Sequence, residues 1–152
     1  MISEPEPLAE IRASWNGVRV LRQRLQSALL GSFALGGWSA IFAADAAHNL
    51  PLVHAFSALN DVLLQLEREG RFSCRSHFLG SLLDASKPSL PWLDFDLVRQ
   101  GASRRNDVAH RGEVLPRGEC WRYVDAIEAE FLAWGVIEPP AEGSRDAETE
   151  TS

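Results

Sequence analysis

Threonine occurs twice in this chain, and both copies, Thr149 and Thr151, lie within its last four residues. Valine and isoleucine add nine and five residues, whereas leucine appears 20 times and alanine 19 times. β-Branched side chains lose rotamer freedom in a helix and suit the pleated surface of a sheet; leucine and alanine give up little when a helix forms. A chain so poor in sheet formers is expected to be all-α. Its 152 residues, 45% of them hydrophobic, suit an antiparallel helical bundle of five to six helices.

Apolar spacing places those helices. Leu8, Ile11, Trp15, Val18, Leu25 and Leu29 recur at three- and four-residue intervals and predict a long amphipathic first helix. Gly36 and Gly37 predict a break before a short apolar helix from about Trp38 to Ala47. Pro51 is expected in the first turn of the next helix, where its missing N–H costs nothing. There Leu52, Phe56, Leu59, Leu63 and Leu66 form one stripe that ends at Gly70. A shorter helix around Ser76 to Ala85 is expected to turn Phe78, Leu79, Leu82 and Leu83 inward. Pro88 and Pro91 make Lys87 to Pro91 a loop. The next helix is expected from Asp94 to about Arg111, capped by Asp94 or Asp96 and stopped by Gly112, with Phe95, Val98, Ala102 and Ala109 inward. A final helix from near Pro116 is expected to bury Trp121, Val124, Ile127, Phe131 and Trp134 before Gly135.

Charge is unevenly distributed. The net charge is −6, and residues 138–152 hold five acids against Arg145, a balance of −4 that leaves −2 for the rest. Lacking large apolar residues and carrying Pro139, Pro140 and Gly143, that segment is expected to be a disordered acidic tail after a bundle of residues 1–137. Met1 to Pro7 hold two Glu, two Pro and no basic residue, so no secretory leader is expected. The most apolar window, Leu29 to Leu52, is interrupted by Gly31, Gly36, Gly37, Asp45, His48 and Asn49 and does not read as a membrane span. Cys74 and Cys120 have no partner spacing and read as free thiols of a cytoplasmic protein.

The penultimate helix is unusual, because Arg104, Arg105, Asn106, Asp107, His110 and Arg111 crowd its C-terminal half. A bland reading exists: cations at a helix end meet the carbonyl end of its dipole. The string Arg105-Asn106-Asp107-Val108-Ala109-His110 nevertheless has chemistry in it. A histidine titrates near neutral pH and suits a general base, and an arginine grips phosphate oxygens with a fixed charge. Asn106 suits holding a phosphate or orienting His110.

An arginine, a polar residue directly after it and a histidine five positions on resemble the signature of the HEPN domain family, which carries it late in an all-α bundle. The resemblance covers roughly Trp38 to Val136. It implies a metal-independent, cofactor-free RNA endonuclease acting as a toxin or phage-defence (abortive-infection) effector. In that chemistry the substrate's own 2′-hydroxyl attacks the adjacent phosphate, giving a 2′,3′-cyclic phosphate and a 5′-hydroxyl. The resemblance makes Arg105, His110 and Asn106 catalytic and Arg104, Arg111 and Asp107 substrate-binding. The implied partners are RNA, a second copy of the chain in a homodimer, and an antitoxin or defence-system protein, with no membrane. The alternative is a non-catalytic HEPN-fold module that binds RNA, a nucleotide or a partner protein. In one branch of the family a tyrosine two positions after the histidine is the target of antitoxin modification; Gly112 stands there, and the one tyrosine is Tyr123 on the last helix.

Geometry constrains any such site. Five residues at about 100° each set Arg105 and His110 about 140° apart on a regular helix. Either the helix unwinds before His110, or two chains each supply part of the site. From Arg99 to Arg122, six arginines face Asp107, Glu113 and Glu119, a balance of +3 compatible with RNA. Asp45, His48 and His54 match no metal-ligand spacing and read as cap or core-edge residues, and His77 as a surface residue at a helix start. The five tryptophans are expected to anchor the core and an interface rather than to stack bases.

Overall fold

Helix-forming residues build helices along most of the chain. The computed structural model describes residues 1–35 and 38–141, with the side chains of 28–35 and 38–44 outside that description. Among the described residues there are five helices and no strand: α1 (Pro5–Leu35), α2 (Trp38–Arg68), α3 (Leu79–Ser86), α4 (Phe95–Arg111) and α5 (Arg117–Ala133). The expected Gly36–Gly37 break falls outside the described residues, as does 142–152 of the acidic tail. No helix among the described residues is long and apolar enough to cross a membrane.

Neighbouring helices run antiparallel. The N–H groups of Ser3 and Glu4, just before α1, donate to Glu69, just after α2. Gly80 near the start of α3 faces Arg99 of α4, while Lys87 after α3 lies over the Phe95 ring that opens α4. Arg104 late in α4 bonds Glu119 early in α5. The core between these helices is built around Trp15, Phe56, Leu59, Leu82, Tyr123 and Phe131. Trp15 meets Phe131 edge-on at 5.0 Å, an arrangement the ring quadrupoles favour. Each such side chain contributes about 1.5–3 kcal/mol by leaving water.

The structure departs from expectation at several residues. α2 is one helix, not two, and passes through Pro51. A mid-helix proline deprives the carbonyl four residues back of its donor, yet His48 and Asn49 before it and Leu52, Ala55 and Phe56 after it are all buried. Burial on both sides of the proline outweighs its local cost. α3 starts at Leu79, and Phe78 before it is 81% exposed rather than inward, because its extended backbone (ψ 139°) turns it off the face that buries Leu82 and Leu83. Ala109 is exposed, and Phe95 and Trp121 are only half-buried. The expected place in the core holds for Trp15 and Trp134, which are buried; Trp92 is half-buried edge-on to Phe95 and Trp134, and the side chain of Trp38 lies outside the description.

Four devices fix α4 in place. At its start, the buried Glu130 carboxylate of α5 accepts the N–H groups of Leu93 at 2.9 Å and Asp94 at 2.8 Å. Asp94, one of the two expected caps, accepts from the Leu97 N–H at 3.1 Å. In the middle, Gly101 seats the helix against Phe56 and Tyr123. After its end, Asn49 of α2 clasps Leu115 from both sides, accepting its N–H and donating to its carbonyl, each at 3.0 Å. Asp45, one turn earlier, accepts the Arg117 N–H that opens α5. At the other end of the bundle, Glu138 is tied back to α1 by Arg12 at 3.5 Å and by Arg19, which donates to its carbonyl at 3.0 Å.

Candidate functional site

All six residues singled out from the sequence stand on α4, and the helix sorts them into two flanks. Arg104, Asp107 and Arg111 fall on one side; Asn106 and His110, four residues apart, share the other, with Arg105 at its inward edge.

The first flank is an ionic cluster closed within the chain. Arg104 Nη1 donates to Asp107 Oδ2 and Glu113 Oε2, and its Nε to Glu119 Oε1, each at 3.0 Å. Arg111 Nη1 lies 3.6 Å from Asp107 Oδ1. The Tyr123 hydroxyl donates to the same Glu119 oxygen at 3.1 Å. Glu119 first, with Asp107 and Glu113, holds the Arg104 guanidinium charged well above arginine's ordinary range. Burial first, then Glu119, pushes the Tyr123 phenol up. All three acids in the Arg99–Arg122 window therefore converge on Arg104, and Arg99 is held by Asp84 at 2.9 Å. The +3 balance of that window is not a uniform basic patch.

The second flank is open. Arg105 lies within about 20° of Val98 around the helix, in line with the buried Val98, Gly101 and Ala102, and is itself half-buried. Its Nη1 donates to Asn106 Oδ1 at 3.2 Å, its Nε is buried without a hydrogen-bond partner, and no carboxylate pairs with it among the described residues. Buried donors are nearly always satisfied, so this one calls for a reason. His110 is exposed and makes no hydrogen bond or ion pair among the described residues.

Helix α4 runs unbroken to Arg111 and closes at Gly112, which takes a φ of +67° as the left-handed cap and donates its N–H to the Asp107 carbonyl. The first geometric alternative falls: the helix does not unwind before His110. Within one chain Arg105 and His110 stay about 140° apart; Asn106 accepts from Arg105, and neither hydrogen-bonds His110 among the described residues.

The sequence reading missed Glu113, Glu119 and Tyr123 as parts of this site. The one sequence signal for them is the four-residue spacing of Glu119 and Tyr123, which puts both on one face of α5. The other polar cluster is structural. His48, 1% exposed, packs edge-on to Trp121 at 4.7 Å, with Nδ1 unbonded, and Arg22 lies over the same indole at 4.4 Å. No group of three His, Cys, Asp or Glu close enough to hold a metal ion occurs among the described residues. Cys120 is buried, which raises its thiol to about 11, and Cys74 is a half-buried free thiol.

Burial lowers the pKa of His48 below 6.5; Arg117 and Arg22 act in the same direction, and Asp45 opposes them. A base depressed in the folded state takes up its proton more readily when unfolded. The contribution of His48 to stability is therefore complete above pH 6.5 and falls as pH drops from 6.5 through the depressed folded value. Urea midpoints measured between about pH 7.5 and about pH 5 should fall more for the native chain than for His48→Phe, which keeps the ring contact. Equal declines would remove His48 from the account.

By its fold the chain is an all-α bundle, and the C-terminal half of α4 is strongly polar. No protein-family model, curated protein or solved structure matches it.

Proposed function

We propose that this protein is a metal-independent endoribonuclease of the HEPN type, a toxin or phage-defence effector, in which Arg105, Asn106 and His110 act on one phosphate of RNA. The observation that carries the reading is Arg105. It is half-buried, with its Nε covered and unbonded, and no acid neutralises it among the described residues, although three acids gather on its neighbour Arg104. A guanidinium held that way is prepared for an anion from outside the chain.

The chemistry follows from the side chains. Neutral His110 takes the proton of a ribose 2′-hydroxyl, and the 2′-oxygen attacks the adjacent phosphorus. Arg105, steered by Asn106, stabilises the charge that develops on the phosphoryl oxygens. The P–O5′ bond breaks, and the departing oxygen takes a proton from the imidazolium. The products are a 2′,3′-cyclic phosphate and a 5′-hydroxyl, and His110 returns to its neutral form. Because Arg105 and His110 lie on different faces of an unbroken helix, the reaction needs a second copy of the chain, Arg105 coming from one protomer and His110 from its partner. The exposure of His110 at the helix end suits such an arrangement.

Purified protein incubated with total RNA in EDTA is expected to produce fragments ending in 2′,3′-cyclic phosphate, resistant to a 3′-end ligase until the ring is opened and the phosphate removed. Intact RNA, with binding retained, favours a non-catalytic module instead; the separation of the two groups in one chain is the observation on that side. Fragments with 3′-hydroxyl ends would contradict both readings.

A further inference from the structure

The three carboxylates around Arg104 are hard to reconcile with an arginine that grips substrate. A phosphate approaching it would have to displace Asp107, Glu113 or Glu119 at 3.0 Å and would meet the repulsion of the others. The carboxylates come from three parts of the chain: Asp107 from α4 itself, Glu113 from the connection after it, and Glu119 from α5. Glu119 is in turn held by Tyr123, whose ring packs against Gly101 in the middle of α4. A continuous path therefore runs from the core junction of Phe56, Gly101 and Tyr123, through Glu119, to Arg104 and the last two turns of α4. Those turns carry Arg105, Asn106 and His110.

We propose that Arg104 is a positioning residue, which clamps the C-terminal end of α4 to α5 and to the following connection so that its neighbours on the opposite flank meet the phosphate in a fixed orientation. This rests on the ribonuclease reading above and assigns Arg104, Asp107 and Arg111 to the scaffold of the site rather than to substrate contact. It also sets the path of the RNA. The backbone passes between the Arg105–Asn106 edge of one protomer and His110 of its partner, away from the acids.

Positioning and substrate contact differ in what they change. A lost phosphate contact raises KM and lowers the slope of log affinity against log salt by about 1. A lost positioning contact leaves that slope and KM in place and lowers kcat, by about 10-fold to 100-fold for a misplacement on the order of 1 Å. The test measures cleavage kinetics and the salt dependence of RNA binding for the native chain, Arg105→Ala, Arg104→Ala and Glu119→Gln. The expected result is a reduced slope for Arg105→Ala alone, with kcat reduced and KM held for Arg104→Ala. Glu119→Gln, which removes one charge of the clamp and keeps an acceptor for Tyr123, should show a weaker form of the same split if Arg104→Ala fails to fold. Arg104→Lys should restore part of kcat, because an ammonium can engage one or two of the three carboxylates. A raised KM with a reduced slope in Arg104→Ala, or an unchanged kcat, overturns the positioning role while leaving the ribonuclease reading intact. A native chain that does not cleave RNA overturns both.

Discussion

Replacing His110 with alanine is expected to slow RNA cleavage about 10²- to 10⁴-fold, the usual contribution of a positioned general base. The fold should not notice. His110 is exposed, makes no hydrogen bond or ion pair among the described residues and stands one residue from the end of α4, so the stability change should stay within about 0.5 kcal/mol. Arg105→Ala makes a sharper pair with it. Removing the charge aimed at the phosphoryl oxygens should cost about 10²- to 10³-fold in kcat. Removing a buried, unbonded Nε should leave the melting temperature unchanged or raise it. An activity loss accompanied by unfolding would instead mark Arg105 as a structural arginine. Calorimetry and single-turnover cleavage on the same preparations separate the two outcomes.

Gly101→Val is expected to have the largest effect on stability. A Cβ at this position would lie 2.8 Å from Phe56 Cζ and 2.8 Å from the Tyr123 ring, closer than real side chains approach. Neither ring can retreat, since Phe56 and Tyr123 are buried in the junction of α2, α4 and α5. Glycine in a helix interior costs about 1 kcal/mol relative to alanine, and here that cost accompanies the close approach of three helices. Valine should therefore lower stability by about 3 kcal/mol, a drop of about 10 °C in Tm for a chain of this size. Gly17→Ala is the control: α1 is open there, with nothing within 4 Å of the added methyl, and the change should stabilise by up to about 1 kcal/mol. A Gly101→Val protein that melts with the native chain would mean that α4 is not seated on these rings.

The helices were legible because their signals are local. The Asp94 cap and the left-handed glycines at 112 and 135 each act within one or two turns, and each is found where expected. Pro51 misled because a proline's preference for a first turn is a local cost, whereas the burial of His48, Asn49, Leu52 and Phe56 around it depends on the other helices. Phe78 misled for the opposite reason: its spacing matched the inward stripe, but it precedes the helix and takes an extended backbone. The importance of Gly101 was invisible, since a missing Cβ has meaning only once Phe56 and Tyr123 are seen against it. At the candidate site, the string from Arg105 to His110 could be read, and so could its angular separation, but not how the charges pair. Which acid answers which arginine is set by the return of the chain through Glu113 to Glu119, and that return spent all three acids on Arg104.

The claim that Arg105 and His110 of two chains serve one phosphate is tested most directly by mixing two inactive variants. Arg105→Ala and His110→Ala proteins are combined in equal amounts, allowed to exchange subunits, and assayed for RNA cleavage. In a two-fold dimer with composite sites, half of the molecules become mixed dimers, and each holds one site with both native residues; activity should recover to about a quarter of the native level. A mixture as inactive as its components, beside a native protein that cleaves, would contradict the shared site.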